Sequence, residues 1–201
     1  MIAAASALFR GHGYHGTALV DVVEAGNASR GSIYFHFPGG KEEIGVEVAI
    51  DHGSAAVVTV NRAAARTTTA AELVGALVYE FANSIAGDGY ALGCPLTAMV
   101  ADVSEHSEPI RVATRQAYDD WRSALSARLA EKGLPAEESR AVAALTIAAI
   151  EGAILLCRVQ RSREPLDDVG RQITTLVGAY SAGDLASPPR TTPRAARRRR
   201  G

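Results

Sequence analysis

Residues 34–37 read Tyr-Phe-His-Phe with glycines on both sides, inside the stretch "NASRGSIYFHFPGGKEEI" that runs from Asn27 to Ile44. The whole chain has six Tyr and four Phe, so this crowding needs a cause. A buried helix spaces its aromatics three and four apart, and a strand alternates them. Four in a row fits neither. The arrangement suits a short helix whose small polar residues come first and whose aromatics are shared between a core and an exposed face.

The flanking sequence supplies the rest of that unit. A first helix is expected over residues 2–10, with Ala5, Leu8 and Phe9 on one face, and "GHGY" ends it because two glycines favour a turn. Thr17 stands where an N-cap belongs, and a second helix to residue 25 buries Leu19, Val22 and Val23. "GNAS" is a tight turn in which Asn27 tolerates the left-handed conformation, and Ser29 caps a third helix through residue 35. Two short helices joined by a turn of three or four residues make a helix-turn-helix. The N-terminal residues of its second helix meet base edges, which explains why Ser29, Arg30, Gly31 and Ser32 are small, polar or basic. Ile33 and Phe37 turn inward, while Tyr34 and His36 point to phosphates. "PGG" breaks the chain, and Lys41 opens the next helix, where its ammonium and the helix N-terminus both favour a phosphate.

The segment "LFRGHGYHGTALVDVVEAGNASRGSIYFHFPGGKEEI" resembles the DNA-binding region of the TetR/AcrR family of transcriptional regulators. The likeness spans about the first 50 residues and rests on Leu8-Phe9, Gly13-Tyr14, Thr17, Gly31-Ser32, Tyr34, Phe35-His36-Phe37 and Lys41. The doubled glycine before Lys41, with "GCPLTAMVADVSE" at 93–105, is similar to the LmrA/YxaF-type branch. Asn27 replaces the family's turn glycine, and the usual basic arm before the first helix is missing. The resemblance implies double-stranded operator DNA as partner, contacted by Thr17, Ser29, Arg30, Gly31, Ser32, Tyr34, His36 and Lys41. Residues 1–51 hold only three basic side chains (Arg10, Arg30, Lys41) against six acidic ones, an unusual balance for a nucleic-acid binder. Helix N-termini with a few placed donors, help from the C-terminal arginines, or a start codon placed downstream of a basic arm would each reconcile the two.

The remainder reads as helices: 42–65, 71–85, one opened by Pro95, 110–132, 137–162, and a ninth carrying Leu166, Val169, Ile173, Leu176 and Tyr180 three and four apart. The eighth is apolar nearly all round, so it must be buried all round. A second copy of the last two helices is the simplest cover, giving a four-helix homodimer interface that includes Leu145, Gly152, Leu156, Leu166, Ile173 and Leu176. The middle helices are longer and more apolar than display of a DNA reader requires, and bundles build ligand cavities between facing helices. Tyr79, Phe81, Met99, Asp102, Tyr118 and Trp121 are the expected wall for an unknown small-molecule effector, though each also suits plain packing. The fold class is therefore all-α: a helix-turn-helix domain at 1–41, a ligand-binding and dimerisation bundle at 42–182, and a disordered basic tail at 183–201.

Other features carry less. His36 lacks a ligating or catalytic neighbour within helical reach, and "GGKEE" lacks the glycine spacing and the Ser/Thr of a phosphate-binding loop. Cys94 sits by a helix N-terminus, which can activate a thiol, but a small helix-entry residue explains it better. Glu105, His106 and Glu108 only loosely resemble metal spacing, so no metal and no cofactor are expected. Glu151 interrupts the eighth helix: it is either an unpaired charge awaiting a cationic ligand or one side of an intersubunit pair with Arg158 or Arg161, and the pair is favoured because an unpaired buried carboxylate costs several kcal/mol. The six arginines of the tail either touch DNA or stay solvated. No leader opens the sequence, and the longest nearly uncharged run, 141–157, falls short of the roughly 20 residues that span a bilayer, so a cytoplasmic protein without membrane contact is expected. Two lone cysteines suit that compartment. The residues point to a ligand-released repressor rather than an enzyme. The alternative is a helical ligand-binding protein that has lost its DNA contacts.

Overall fold

The computed structural model describes residues 1–103 and 106–185, without the side chains of Arg30, Ser32 and Val103. Glu105 and the arginines from Arg190 onward lie outside the described residues. Those residues form α1 (Ile2–His12), α2 (Leu19–Ala25), α3 (Arg30–His36), α4 (Gly40–Ala65), α5 (Ala70–Gly87), α6 (Pro95–Val103), α7 (Glu108–Glu131), α8 (Ala136–Gln160) and α9 (Glu164–Ala182).

Helix ends follow backbone geometry more closely than composition. α1 runs past the expected stop at residue 10, because a glycine inside a helix costs only about 1 kcal/mol. It ends where Gly13 adopts φ 80, with the Gly13 amide on the Phe9 carbonyl. α2 is entered through Ala18 rather than Thr17. The Thr17 hydroxyl turns inward and donates to the Gly13 carbonyl at 2.9 Å, while the Asp21 carboxylate accepts from the Ala18 amide at 2.8 Å. Asn27 does take the left-handed conformation, at φ 47. α5 has the fullest cap: Thr69 Oγ1 accepts from the Glu72 amide, and the Glu72 carboxylate accepts from the amides of Thr68 and Thr69. Such a cap stabilises a helix by about 1 kcal/mol.

Two apolar clusters organise the packing. The first joins Phe9, Tyr14, Val22 and Ile33 of the three-helix head to Ile44 and Val48 of α4, Leu96 and Met99 of α6, and Ile110 of α7. The head therefore shares its core with the body. The second fills the body between α4, α5, α7, α8 and α9 and contains Leu73, Leu77, Trp121, Leu125, Ile150 and Leu166. α4 lies along α7 so closely that a Cβ on Gly53 would stand 2.7 Å from the Ala117 Cβ, so only glycine permits this crossing.

α8 has a mean hydropathy of 2.0 over its most apolar 18 residues, enough by length and composition alone to cross a membrane. Its packing on α5, α7 and α9 buries only 44% of that window. The side left open carries Ala141, Ala144, Leu145, Ala148, Gly152, Leu155, Leu156 and Val159, a stripe at helical spacing with Val159 84% exposed.

Candidate DNA interface and effector region

The head presents one face of α3. Ile33 is fully buried and Phe37 partly so, as the pattern predicts. Gly31, Tyr34 and Phe35 share the opposite face, with Tyr34 63% and Phe35 82% exposed. Phe35 meets the exposed His36 ring edge-on, centroids 5.1 Å apart. Phe35, not among the expected contacts, lies one and four residues from Tyr34 and Gly31 and so shares their exposed face. Ser29 is exposed just before α3, whereas the side chains of Arg30 and Ser32 lie outside the described part of the structure.

Two expected DNA contacts are turned inward. Thr17 is completely buried, its hydroxyl spent on Gly13. Lys41 reaches back under the head, where Nζ donates to the Tyr14 carbonyl at 3.0 Å and the Thr17 carbonyl at 2.9 Å. The ammonium also stands 4.2 Å from the centre of the Tyr14 ring. Burial pushes its pKa down, and only partly does the Asp102 carboxylate oppose this. Lys41 fastens the α1–α2 turn to α4.

Two further links hold the head on the body. Asp102, at the end of α6, accepts from the His15 amide at 2.9 Å, and its carbonyl lies 3.0 Å from His15 Nε2. Arg10 closes the other link: its carbonyl accepts from the Gly93 amide at 3.0 Å, its Nε donates to the Gly93 carbonyl at 2.8 Å, and its guanidinium pairs with Asp88 at 2.7 Å. Both ends of α6 therefore grip the head.

The expected effector wall does not converge. Asp102 belongs to the head–body link. Met99 is fully buried in the cluster that the head shares. Tyr79 faces the α5–α9 groove, 5.4 Å from the Arg163 guanidinium. Only Phe81, Trp121 and Tyr118 meet, as a stack with centroid separations of 5.4 and 6.4 Å and Trp121 wholly in the core.

Tyr118 leads instead to a polar cluster inside the body. Glu151 accepts from Thr97 Oγ1 at 2.7 Å and from the Tyr118 hydroxyl at 3.3 Å, and the Cys94 thiol also bonds it. His52 Nε2 stands 3.6 Å from Cys94 Sγ. Within the protomer α8 aims Glu151 at α6 and α7, and its bonds go to Thr97 and Tyr118 rather than to Arg158 or Arg161. Burial raises the Glu151 carboxyl above the usual carboxylate range. Burial, then the nearby Arg10 charge, pushes His52 down to about 4, so it is neutral. The Cys94 thiol is pushed strongly up by burial and by Glu151, the opposite of an activated thiolate. α4, α6, α7 and α8 each contribute one group to this cluster, and Cys94 joins from the turn entering α6. Its sequence signal was the lone acid in an apolar helix.

The expected dimer contacts also divide. Leu145, Gly152 and Leu156 lie on the open stripe of α8. Leu166 and Ile173 do not: α9 packs on α5 and turns both into the protomer's own core. Leu176 is half-buried.

Comparison with known proteins accounts for this architecture. Residues 1–48 match the family model of the bacterial regulatory proteins of the tetR family, and residues 70–172 match that of the LmrA/YxaF-like transcriptional regulator C-terminal domain. The chain is 32% identical over 179 residues to the HTH-type transcriptional regulator LmrA of Bacillus subtilis, covering 88% of this chain and 94% of that protein. An uncharacterized HTH-type transcriptional regulator of Mycobacterium tuberculosis is 30% identical over 182 residues, covering 88% of this chain and 92% of its own length. A TetR transcriptional regulator from Legionella pneumophila has the same fold, with a TM-score of 0.76 at 23% identity over 88% of this chain and 94% of that one. The chain belongs to the TetR family of transcriptional regulators, in its LmrA/YxaF-like branch.

Proposed function

We propose that the protein is a homodimeric repressor that reads a palindromic operator with α3 and leaves it when a small molecule binds the body. The exposed face of Gly31, Tyr34 and Phe35, on a head linked to both ends of α6, carries this reading. Residues 1–41 serve as the reader and 42–182 as the sensor and dimer module, the two copies meeting through the open stripe of α8. A regulator of this kind works in the cytoplasm, beside the chromosome. The rival, a binding protein without DNA contacts, leaves the exposed Phe35 unexplained.

Selection from random duplexes, followed by mobility shift at low salt, tests the proposal. Half-sites about one helical turn apart, or a multiple, are expected. Tyr34→Ala and Phe35→Ala should each weaken the selected site roughly tenfold, since both side chains are exposed and contribute little to the fold. Failure to select any sequence, or equal affinity of wild type and both variants, would overturn the assignment of α3 as reader.

A further inference from the structure

We propose that the cavity between α1, α6 and α8 takes a small amphoteric molecule, with its cationic end on Glu151 and its anionic end on Arg158. The proposal rests on the effector-responsive reading above and names the effector's class. The cavity has a volume of about 180 Å³. Glu151 and Arg158 both line it, seven residues apart on one face of α8, hence separated by roughly 10 Å along the helix axis. Ile154 and Leu155 lie between them, so the middle of the wall is apolar.

Two side chains on this wall, Glu151 and Arg158, have no ionic partner among the described residues. Every group that bonds Glu151 is neutral: the hydroxyls of Thr97 and Tyr118 and the thiol of Cys94. A carboxylate has about four acceptor positions, so one is still open. Among the described residues no cation pairs with Glu151, and no carboxylate pairs with Arg158, whose guanidinium lies over Gly93. Arg10, the other cation on the wall, is already neutralised by Asp88. A purely anionic occupant would leave Glu151 uncompensated, and a purely cationic one would leave Arg158 so. An amphoteric molecule satisfies both.

The position also gives such a molecule regulatory leverage. Phe9, Arg10 and Gly11 of α1 form the opposite wall, beside the Arg10–Gly93 link. An occupant therefore touches head and body together. It can favour one head position over another only through such a difference in contacts.

Isothermal titration of the full-length protein tests this with linear ω-amino acids from 4-aminobutanoate to 8-aminooctanoate as probes, and hexylamine and hexanoate as single-charge controls. One chain length should bind about tenfold or more tightly than either control. Glu151→Gln and Arg158→Gln should each remove that advantage, with circular dichroism reporting that the variants are folded. If Glu151→Gln does not fold, Arg158→Gln decides alone, and its preference must fall to that of hexylamine. The proposal is overturned if no ω-amino acid binds at about 10 mM, if a single-charge control binds as tightly, or if the folded variants match wild type. A mobility shift on the same preparation separates the two claims. DNA selection without probe binding sinks only the amphoteric site, and probe binding without DNA selection sinks only the regulator reading.

Discussion

At the scale of single residues, Lys41 and His52 show how burial reassigns a side chain. By charge and position Lys41 suits a phosphate, yet its ammonium is committed to the Tyr14 and Thr17 carbonyls. Lys41→Met should therefore lower the stability of the fold by about 1.5–3 kcal/mol, the range for charged hydrogen bonds, as read by denaturant unfolding. The salt dependence of DNA binding should keep its slope. A slope reduced by about one unit with stability intact would return Lys41 to the DNA. His52 makes a prediction in pH. Its pKa is depressed from 6.5 to about 4 in the fold, so the unfolded chain binds the extra proton between those values. Stability is fully present above about 6.5 and falls toward pH 4, by at most about 3 kcal/mol from this one group. Glu151 acts in the opposite sense, because its raised pKa favours the fold as it is protonated. His52→Gln isolates the histidine: unfolding midpoints of the variant should change less than those of wild type between pH 6.5 and 4. Equal slopes would show that His52 is accessible and unperturbed.

At the scale of elements, α8 and α9 are both apolar but spend that surface differently. The stripe of α8 that includes Leu156, 52% exposed, has no cover among the described residues of the protomer. Ile173 of α9, by contrast, is buried against the protomer's own core. Leu156→Arg should give a folded monomer by light scattering, because a charge inside a two-copy interface costs several kcal/mol. Ile173→Ala should instead lower protomer stability by about 2–5 kcal/mol through a cavity, with the dimer mass retained while the chain is folded. A dimer that survives Leu156→Arg would place the interface elsewhere. These assignments were half legible. Periodicity found the apolar faces of both helices, but which face meets which neighbour depends on how α9 crosses α5.

At the scale of the whole molecule, the head is not an independent unit. It shares a core with α4, α6 and α7, and is linked at Asp102–His15 and at Gly93–Arg10. α6 is therefore placed to transmit a change between the body and the head. Asp102→Ala removes the acceptor from the His15 amide without touching the body core. Hydrogen exchange at residues 13–17 should accelerate, while that of α7 and α8 remains slow. Unchanged protection of the 13–17 turn would mean that the shared core alone holds the head.

What the amino-acid order determined by itself was local. The left-handed Asn27, the inward Ile33 and Phe37 and the apolar faces of the helices all depend on neighbours within a few residues. Backbone sterics and helical periodicity act over that range, so a one-dimensional reading reaches them. Tertiary structure decided what those faces meet. It turned Thr17 and Lys41 inward, sent Met99 to the head's core and Tyr79 to a surface groove, and moved Asp102 from a presumed pocket to a link. It also gathered His52, Cys94, Thr97, Tyr118 and Glu151 from four helices and the turn entering α6. The physical reason is that burial of a polar side chain and the partners it finds are set by helix crossings, and a crossing is fixed by close contacts such as Gly53 on Ala117 between residues 64 positions apart.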